Sequence, residues 1–379
     1  MRLAIVADWL TVFAGAEHAI AEFHSLWPKA PIFTTVTRRQ TIGALREADI
    51  RTTPLQHWYR LVRRHQLLLP WMPMAVESID LSSYDTILSS SHAVAKGVIP
   101  RSGSVHLCYC HTPMRYAWSM EEQYLSDFRV PRMLRGFVRR RLKRLRRWDL
   151  STAKRVDRFL ANSSETQRRI ADVYGRESSV IPPPVGERFF GNAPVGMTQR
   201  RSFLAVGRLV PYKRFDLLIA LANDRRLPLT IVGRGQEEER LRRMAGPTVA
   251  FRGYVPDHDL PSLYAEAKAV LFPQHEDAGI VPLEAQASGT PVIAYGEGGV
   301  RDTVLDECTG IFFSEQTAAS LSEAIDRFSA TTFDPLAIRR HAEQFSSSRF
   351  RTRIAAEVEK AREEFLRRID VQRLERGRG

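Results

Sequence analysis

Short apolar runs alternate with amphipathic stretches along nearly the whole chain, and this alternation limits the possible folds more than any other feature of the sequence. Most of the runs are apolar at every position, which is typical of strands covered on both faces of a parallel sheet. The pattern therefore predicts an α/β fold with doubly wound parallel sheets. The predicted strands are Leu3–Ala7, Ile32–Val36, Thr86–Leu88, Val105–Tyr109, Arg158–Ala161, Phe203–Val206, Leu229–Val232, Val249–Phe251, Ala269–Phe272, Val292–Ala294 and Gly310–Phe313.

The 379 residues are enough for two domains of ordinary size. A stretch rich in proline and glycine begins at residue 181 with the letters IPPPVG and predicts a linker near 183–201. We expect a Rossmann-like domain at 1–185 and a second at 186–346, with the two facing a cleft. A charged helix at about 347–379 repeats apolar residues at helical spacing, which indicates packing on a neighbour, and we assign it to the first domain.

The positive charge of the chain is concentrated in one segment. The net charge is +13, and residues 129–148 hold ten Lys and Arg and no Asp or Glu. Apolar residues recur there at every third or fourth position, which predicts a basic amphipathic helix that binds an anionic membrane surface. An ordinary helix with one buried and one solvated face is the alternative. Residues 55–74 combine Trp, Leu and Arg and are a second candidate for membrane contact.

Other features of the sequence argue against several classes of protein. A nucleic-acid binder is disfavoured, because no nucleic-acid-binding motif accompanies the basic segment. The three cysteines, Cys108, Cys110 and Cys308, fit neither a disulfide framework nor a zinc spacing, which favours a reducing cytoplasm. The N-terminus has the pattern of a buried first strand rather than a signal peptide, and no apolar run is long enough to span a bilayer.

Ligands of doubly wound sheets bind beyond the carboxyl ends of the strands, so the residues after each apolar run are the candidates for function. Residues 275–284 read HEDAGIVPLE and follow one predicted strand. Glu276 precedes a glycine turn, and the backbone N–H groups near Gly279–Val281, at the start of the next helix, would favour an anion. Glu276 and Glu284 flank this position and suit sugar or ribose hydroxyls. The alternative is that both glutamates complement the helix dipole.

Two cations follow another predicted strand. Residues 205–216 read AVGRLVPYKRFD, and Arg208 and Lys213 lie five residues apart around a turn. Both can reach one diphosphate, Arg as a fork and Lys as a point charge. The alternative is a pair of solvated surface cations. A second strand followed by a glycine turn, IVGRG at 231–235, contains Gly233.

Three segments of the first half also follow predicted strands or precede a predicted helix. Residues 108–118 read CYCHTPMRYAW and place His111 at a strand end, although a lone histidine is more often structural. Residues 13–17 read FAGAE, with Gly15 at the start of a predicted helix. Asn162 and Ser163 precede another predicted helix and have the pattern of an N-cap.

Together these segments resemble the retaining GT-B glycosyltransferases of glycosyltransferase family 4. The elements at 205–216, 231–235 and 275–294 occur in the family's order, followed by its glycine-rich turn, GEGGVRD at 296–302. Residues 111–118 are similar to a subgroup of bacterial mannosyltransferases that use GDP-mannose in O-antigen and exopolysaccharide assembly. Four positions depart from the family pattern: Arg214 and Ala14 each replace a glycine, and Asp277-Ala278 replaces Pro-Phe.

The resemblance implies a sugar-nucleotide donor and no metal ion. Arg208 and Lys213 would neutralise the departing diphosphate, and Glu284 would hold the ribose. Glu276 and His111 would orient the transferred sugar. The further donor contacts that it implies are Gly15, Gly207, Gly233, Gly279, Ile280 and Val281. Acceptor attack would come from the leaving-group face, with the departing phosphate taking the acceptor's proton.

The resemblance further implies that the first domain binds a lipid-linked or oligosaccharide acceptor, with Asp8 and Trp9 as bordering residues. We therefore expect a mannosyltransferase of cell-surface polysaccharide or lipopolysaccharide biosynthesis, peripheral on the inner face of the cell membrane. One alternative is a UDP-sugar donor with the same fold and mechanism. The other is a catalytically silent, membrane-associated partner of polysaccharide assembly.

Overall fold

The computed structural model describes residues 1–118, 132–191 and 195–376. The chain divides into two compact units. Unit 1 comprises Met1–Pro182 and Phe350–Gly379, and unit 2 comprises Pro183–Arg349. These boundaries lie within a few residues of the predicted ones.

Unit 1 is built on a seven-stranded sheet in which every strand pair is parallel, in the order β3-β2-β1-β4-β5-β6-β7. Its strands are β1 (Leu3–Ala7), β2 (Ile32–Thr34), β3 (Ile50–Thr52), β4 (Thr86–Ser91), β5 (Val105–Cys110), β6 (Arg158–Ala161) and β7 (Ser178–Val180). Its helices are α1 (Gly15–Leu26), α2 (Leu55–Val62), α3 (Met72–Glu77), α4 (Arg115–Trp118), α5 (Arg132–Ala153) and α6 (Ser164–Tyr174). Ser163 caps α6 by accepting a hydrogen bond from the Thr166 N–H, as predicted.

Unit 2 repeats this design with six parallel strands in the order β10-β9-β8-β11-β12-β13. Its strands are β8 (Ser202–Val206), β9 (Leu229–Val232), β10 (Val249–Gly253), β11 (Ala267–Phe272), β12 (Val292–Tyr295) and β13 (Gly310–Phe313). Its helices are α7 (Phe215–Asp224), α8 (Glu238–Met244), α9 (Leu260–Glu266), α10 (Ile280–Ala287), α11 (Ala318–Ala330) and α12 (Pro335–Ala342). Both sheets have the strand order of Rossmann-like domains.

The order of strands locates the ligand-binding edge of each sheet. In unit 1 the order reverses between β1 and β4, and in unit 2 it reverses between β8 and β11. Loops that leave the carboxyl ends of two such strands diverge to opposite faces of the sheet and open a crevice. The residues directly after β1, β4, β8 and β11 therefore lie where a doubly wound sheet binds its ligand.

Helix α13 (Ser347–Arg376) belongs to unit 1 from Phe350 onward and contributes to its core. Phe350, Ile354 and Val358 are buried in that core, and Phe350 stacks on Phe23 at 5.9 Å between ring centroids. Two ion pairs fasten the outer face: Arg158 contacts Glu357 at 2.8 Å and Glu364 at 2.5 Å. The predicted return of the C-terminal helix to the first domain is confirmed.

Two predictions about organisation need correction. The structure adds β3 and β7, the two edge strands of unit 1, which are only three residues long and largely polar or half exposed. The segment 183–201 is also not a free linker, because its described part belongs to unit 2. There Arg200 is 3% exposed and donates hydrogen bonds to the carbonyls of Val195, Ala267 and Gly289.

Helix α5 corresponds to the predicted basic amphipathic helix, of which residues 129–131 lie outside the described residues. Its apolar stripe is divided. Leu142 is buried and Trp148 packs against the unit 1 core, as in an ordinary helix, whereas Met133 and Phe137 are 94% and 59% exposed. Within 1–118, 132–191 and 195–376, no helix is long and apolar enough to cross a membrane.

Candidate functional site

The carboxyl edge of the unit 2 sheet brings together three loops that contain predicted site residues. Gly207 follows β8, Gly233 follows β9, and Glu276 lies in the loop after β11. Backbone hydrogen bonds hold these loops on the sheet. Gly207 N donates to Val232 O, at the end of β9, at 3.0 Å, and Gly233 N donates to Gly253 O, at the end of β10, at 2.7 Å. The parallel register of the strands therefore places these loops at one edge of the sheet.

Gly233 is required by the packing of the backbone. Its φ is 132°, and a Cβ atom at this position would lie 1.9 Å from the carbonyl oxygen of Gly207. No side-chain movement relieves such a clash, because both partners are main chain. The two glycine loops can therefore pack directly on each other, which leaves the edge free of bulky side chains.

Lys213 and Glu276 form an ion pair at this edge. Lys213 ends a short 3₁₀ segment, Pro211–Lys213, and its Nζ lies 2.7 Å from Glu276 Oε1. Both side chains remain partly accessible, at 10% and 20% exposure. The ammonium group lies beside Gly207, because a Cβ built on Gly207 would be 3.1 Å from it. Arg208, the other predicted cation, is solvent-exposed on the same loop.

The start of α10 lies on the same loop as Glu276. Gly279, at φ 72°, is the N-cap of α10, so the N–H groups of Ile280 and Val281 lie in the first turn and have no partner within the helix. The turn at 296–302 holds the loop from the other side: Gly299 N donates to the Glu276 carbonyl at 3.0 Å. This edge thus presents backbone donors, a partly accessible lysine and a carboxylate.

Glu284 lies on α10 and is nearly buried. Tyr264 of α9 donates a hydrogen bond from its hydroxyl to Glu284 Oε2 at 2.8 Å. Burial raises the pKa of Glu284 to about 7, although the Tyr264 hydrogen bond and the charge of Arg188 act in the opposite direction. The carboxyl group is therefore near its titration midpoint at neutral pH, which sequence reasoning did not predict.

At the carboxyl edge of the unit 1 sheet, His111 directly follows β5, and both its ring and its backbone carbonyl are hydrogen-bonded. A hydrogen bond of 2.8 Å joins its Nε2 to Ser90 Oγ, and its carbonyl accepts a hydrogen bond from Thr166 Oγ1 at 3.1 Å. Burial, together with the neighbouring charge of His92, lowers the pKa of His111 to about 3. His111 is therefore a neutral imidazole at physiological pH.

Gly15 is the first residue of α1, as predicted. The preceding Ala14, which replaces a family glycine, has extended backbone at φ −141° and ψ −161° that any residue adopts. The carboxylate of Glu17 reaches back and accepts a hydrogen bond from the Ala14 N–H at 3.0 Å. Sequence reasoning did not single out Glu17, although an acid at the third helical position is a recognised capping signal.

Asp8 and Trp9, the residues expected from the sequence to border the acceptor, are both nearly buried. Asp8 is 2% exposed and Trp9 is 7% exposed. The Asp8 carboxylate is occupied by the loop after β4, including His92. His92 is thus a residue that sequence reasoning missed, because three serines separate it from the predicted strand Thr86–Leu88.

Three other features bear on the candidate site. Cys108 and Cys110 are buried side by side on β5, as expected, and Cys308 is exposed. Among the described residues, no three His, Cys, Asp or Glu side chains gather as metal ligands. A cavity of about 480 Å³ lies at the amino edge of the unit 1 sheet, away from the predicted site residues, and is lined by Gln167, Ala171, Gly175, Arg176, Glu177 and Ser178.

Comparison with known proteins identifies each unit separately. The family model described as Glycosyltransferase Family 4 matches residues 13–187, and the model described as Glycosyl transferases group 1 matches residues 194–344. The structure resembles that of Anabaena Alr3699/HepE in complex with UDP and glucose, with a TM-score of 0.68 and 16% identity over 95% of this chain and 99% of that one. This likeness shows the fold.

Two curated relatives illustrate the range of similar sequences. The D-inositol 3-phosphate glycosyltransferase of Frankia alni is 30% identical over 201 residues, which are 45% of this chain and 49% of the relative. The GDP-mannose-dependent alpha-(1-6)-phosphatidylinositol monomannoside mannosyltransferase of Mycolicibacterium smegmatis is 32% identical over 192 residues, 43% of this chain and 50% of the relative. The chain thus spans about half the length of the curated relatives it matches. With two Rossmann-like units, each matched by its own family model, the chain belongs to the GT-B glycosyltransferases of family 4 and group 1.

Proposed function

We propose that this protein transfers a sugar, with retention of configuration, from a nucleoside diphosphate sugar to a hydroxyl group of an acceptor. The observation that carries the proposal is the carboxyl edge of unit 2. There Lys213, 10% exposed, lies beside a loop of glycine backbone and next to an accessible carboxylate, Glu276. A diphosphate suits such an edge, because phosphate oxygens accept hydrogen bonds from backbone N–H groups and from cations.

In the proposed complex, Lys213 and Arg208 bind the diphosphate, and the N–H groups of Gly279, Ile280 and Val281 assist. The bond from the sugar C1 to the phosphate oxygen breaks, and a bond from C1 to the acceptor oxygen forms on the same face. The acceptor's proton passes to the departing phosphate. The two cations stabilise the charge that develops on the diphosphate, so that no metal ion is required. Turnover in excess EDTA tests this point: undiminished activity is expected, and loss of activity on chelation contradicts it.

Three further side chains complete the proposed roles. Glu284 binds the ribose, since a carboxyl group near its midpoint can accept and donate hydrogen bonds to hydroxyls. Glu276 orients the transferred sugar after its ion pair with Lys213 has loosened. His111 contributes a neutral imidazole that hydrogen-bonds without adding charge. These roles follow the resemblance in sequence and are compatible with the burial and partners of each residue.

The preferred donor is GDP-mannose. The motif at 111–118 and the GDP-mannose-dependent relative support it.

A residue that would recognise the nucleotide base is Asp257. Its carboxylate lies 3.6 Å from Arg188, and it is close enough to Glu284 for its charge to affect the pKa of Glu284. Guanine presents two N–H donors on one edge, which a carboxylate accepts as a pair, whereas uracil presents one. Asp257→Asn is therefore expected to weaken GDP binding more than UDP binding.

Thermal stabilisation by GDP, UDP, ADP and GDP-mannose tests the donor without an acceptor. A ligand at one hundred times its Kd adds about 2.7 kcal/mol to the free energy of unfolding. Stabilisation by GDP and GDP-mannose alone is the expected result. Stabilisation by UDP instead would favour the UDP-sugar alternative. The similar Anabaena structure, which contains UDP and glucose, supports considering that alternative. No stabilisation by any nucleotide would favour the catalytically silent partner.

We further propose that the acceptor is lipid-linked, in cell-surface polysaccharide biosynthesis, and that unit 1 contacts the inner face of the cell membrane. The support is exposed apolar surface next to Arg and Lys. On α5, Met133 and Phe137 are exposed beside a run of basic residues. In the segment 55–74, the exposed apolar side chains are Trp58, Leu61, Val62, Leu67, Trp71 and Met74. Each cation near an anionic leaflet contributes about 1 kcal/mol.

Co-sedimentation with vesicles tests this surface. The wild type is expected to bind phosphatidylglycerol vesicles at low salt, to be released at high salt, and to bind phosphatidylcholine vesicles weakly. The double variant Met133→Ser/Phe137→Ser should lose most of the binding. Leu336→Ser, which changes an apolar residue 59% exposed on unit 2, is the matched control and should bind normally. Equal binding by both variants would exclude α5 as the contact.

A further inference from the structure

The point of strand reversal in unit 1 holds an ion pair that the proposed function does not use. Asp8 directly follows β1 and His92 directly follows β4, and these two strands are hydrogen-bonded neighbours. His92 Nδ1 lies 2.9 Å from Asp8 Oδ2. The pair therefore occupies the position at the carboxyl edge where doubly wound sheets bind ligands.

The aspartate of this pair is fixed by the backbone. Its Oδ2 accepts hydrogen bonds from the N–H groups of His92 and Ala93 at 2.7 and 3.0 Å. Its Oδ1 accepts from Val94 and Ala95 at 2.6 and 2.5 Å. The Asp8 side chain is 1% exposed, so a ligand cannot reach it. Asp8 instead holds the loop after β4 in place and orients the His92 ring.

The histidine of the pair is accessible. Its side chain is 27% exposed. Because Nδ1 contacts Asp8, Nε2 is the nitrogen left for a ligand. Trp9 packs edge-on against the ring at 4.7 Å, and His111 lies at 6.2 Å between ring centroids. The charged or titratable groups that face His92 from the surrounding elements are Asp8, Glu17, His65, His111 and Arg115.

Of the three histidines gathered here, His92 is the one whose charged form is favoured. Burial opposes protonation of His92, but the charge and hydrogen bond of Asp8, with the charge of Glu17, outweigh it and raise the pKa. Burial and the His92 charge lower the pKa of His65 to about 4 and that of His111 to about 3. The surroundings thus favour a proton on His92 and leave His65 and His111 neutral at physiological pH.

We propose that His92 binds a phosphoryl oxygen of a substrate through its Nε2–H group, and that Asp8 is the positioning residue that holds it. An accessible, singly anchored cation with one remaining N–H donor suits an oxyanion. The phosphoryl group has two possible sources, a diphosphate-linked lipid acceptor or the nucleotide. The inference rests on the proposed function, since that function brings both kinds of phosphate to this protein.

Two probes distinguish the sources: GDP for the nucleotide and geranyl diphosphate for the lipid-linked acceptor. Calorimetric titration of the wild type, His92→Gln and the control His24→Gln, a partly exposed histidine in the last turn of α1, measures each affinity at pH 7.5. His92→Gln keeps a neutral donor and is expected to weaken the binding of at least one probe tenfold or more, while His24→Gln binds as the wild type does. Loss for geranyl diphosphate alone assigns the acceptor, and loss for GDP alone assigns the nucleotide.

The pH profile separates a charge role from a structural one. Affinity of the wild type for the responding probe should fall as the pH rises through the pKa of His92, while the weaker affinity of His92→Gln should stay flat. Asp8→Asn should move the fall to lower pH, because it removes the charge that raises the pKa. ¹⁵N-histidine NMR of the wild type, which needs no variant to fold, should show an imidazolium at pH 7 whose Nε2 shifts when the probe is added.

The proposal is overturned if folded His92→Gln binds both probes as tightly as the wild type, or if the NMR spectrum shows His92 neutral at pH 7. Failure of the proposed function gives a different result. In that case no nucleotide stabilises the wild type, yet the titration with geranyl diphosphate still tests His92.

Discussion

Each unit contains a lysine paired with a carboxylate, and the two pairs differ in what surrounds them. In unit 1, Lys96 contacts Asp149, and their side chains are 2% and 0% exposed. Trp118 and Tyr174 donate to the other oxygen of Asp149 at 2.8 and 2.9 Å, and Thr152 lies 3.2 Å from the Lys96 ammonium. Every side of this pair is filled by protein.

In unit 2, the Lys213–Glu276 pair is partly open to solvent and lies beside glycine backbone. A lysine–carboxylate ion pair therefore has a different role in each unit. The closed pair joins α5 to the loop after β4 and can only contribute to stability. The open pair leaves hydrogen-bonding capacity for a ligand. The comparison predicts that equivalent substitutions lower stability in unit 1 and activity in unit 2.

Lys96→Met should have the largest effect, because it leaves Asp149 as a buried charge without its cation. Removing one partner of a buried pair costs about 3–5 kcal/mol. Urea denaturation followed by tryptophan fluorescence reports on unit 1 directly, since all six tryptophans belong to it. Lys96→Met/Asp149→Leu should recover much of the loss. A loss below about 1 kcal/mol for the single variant would contradict the assignment of this pair as closed.

Lys213→Met should lower turnover rather than stability. Loss of one group that stabilises developing negative charge costs about 10²–10³ in kcat. Since Glu276 keeps some contact with solvent at 20% exposure, the free energy of unfolding should fall by clearly less than in Lys96→Met. Arg243→Met, which changes an exposed cation on α8, is the control and should leave both quantities unchanged. A Lys213→Met protein that unfolds early but turns over normally would reverse the comparison.

Glu284 extends the comparison to a buried carboxyl group whose hydrogen-bond partner, Tyr264, carries no charge. Its pKa in the folded protein is about 7 against an ordinary 4.5, so the folded state binds the proton more tightly. Its stabilising contribution is fully present below about pH 4.5 and is lost as the pH rises through 7, by up to about 3 kcal/mol. Hydrogen exchange of unit 2 peptides between pH 5 and 9 should show this loss in the wild type but not in Glu284→Gln. Glu239→Gln, at an exposed position of α8, should behave as the wild type; a Glu284→Gln protein with the wild-type profile would contradict the pKa.

Arg214→Gly should have the smallest effect. Arg214 lies next to Lys213 in the left-handed region, at φ 53° and ψ 37°, where the family has glycine. Glycine would relieve about 1 kcal/mol of backbone strain but would add a similar amount of unfolded-state entropy. Thermal unfolding should therefore shift by only a few degrees and turnover should persist. A large loss of turnover would show that the Arg214 side chain, rather than Lys213 alone, belongs to the open pair.

The sequence predicted the architecture well, because buried parallel strands leave a strong apolar signal. It predicted β1, β6, β9 and β13 with the bounds that the structure has. It missed β3 and β7, because edge strands need apolar residues on fewer sides and Ser178–Val180 has a polar start. It also interpreted the apolar stripe of α5 as one surface, whereas Leu142 and Trp148 of that stripe pack on the core.

At the candidate site, sequence motifs located Lys213 and Glu276 but not the ion pair between them, since pairing depends on how two loops fold over Gly207. Asp8 is a second residue whose contacts could not be predicted from its local sequence. Its position after β1 marked it as a candidate for ligand contact, yet four N–H groups from a loop more than eighty residues away enclose its carboxylate. Hydrogen bonds between a buried carboxylate and a loop so distant in the chain leave no local pattern in the sequence.

We expect the open pair of unit 2 to be the cationic site for a nucleoside diphosphate. Calorimetric titration of GDP into the wild type, Lys213→Met and Arg243→Met, all in EDTA, checks this claim. We predict tight binding by the wild type and by Arg243→Met, and at least tenfold weaker binding by Lys213→Met. Equal affinity for GDP in folded Lys213→Met and the wild type would contradict the claim.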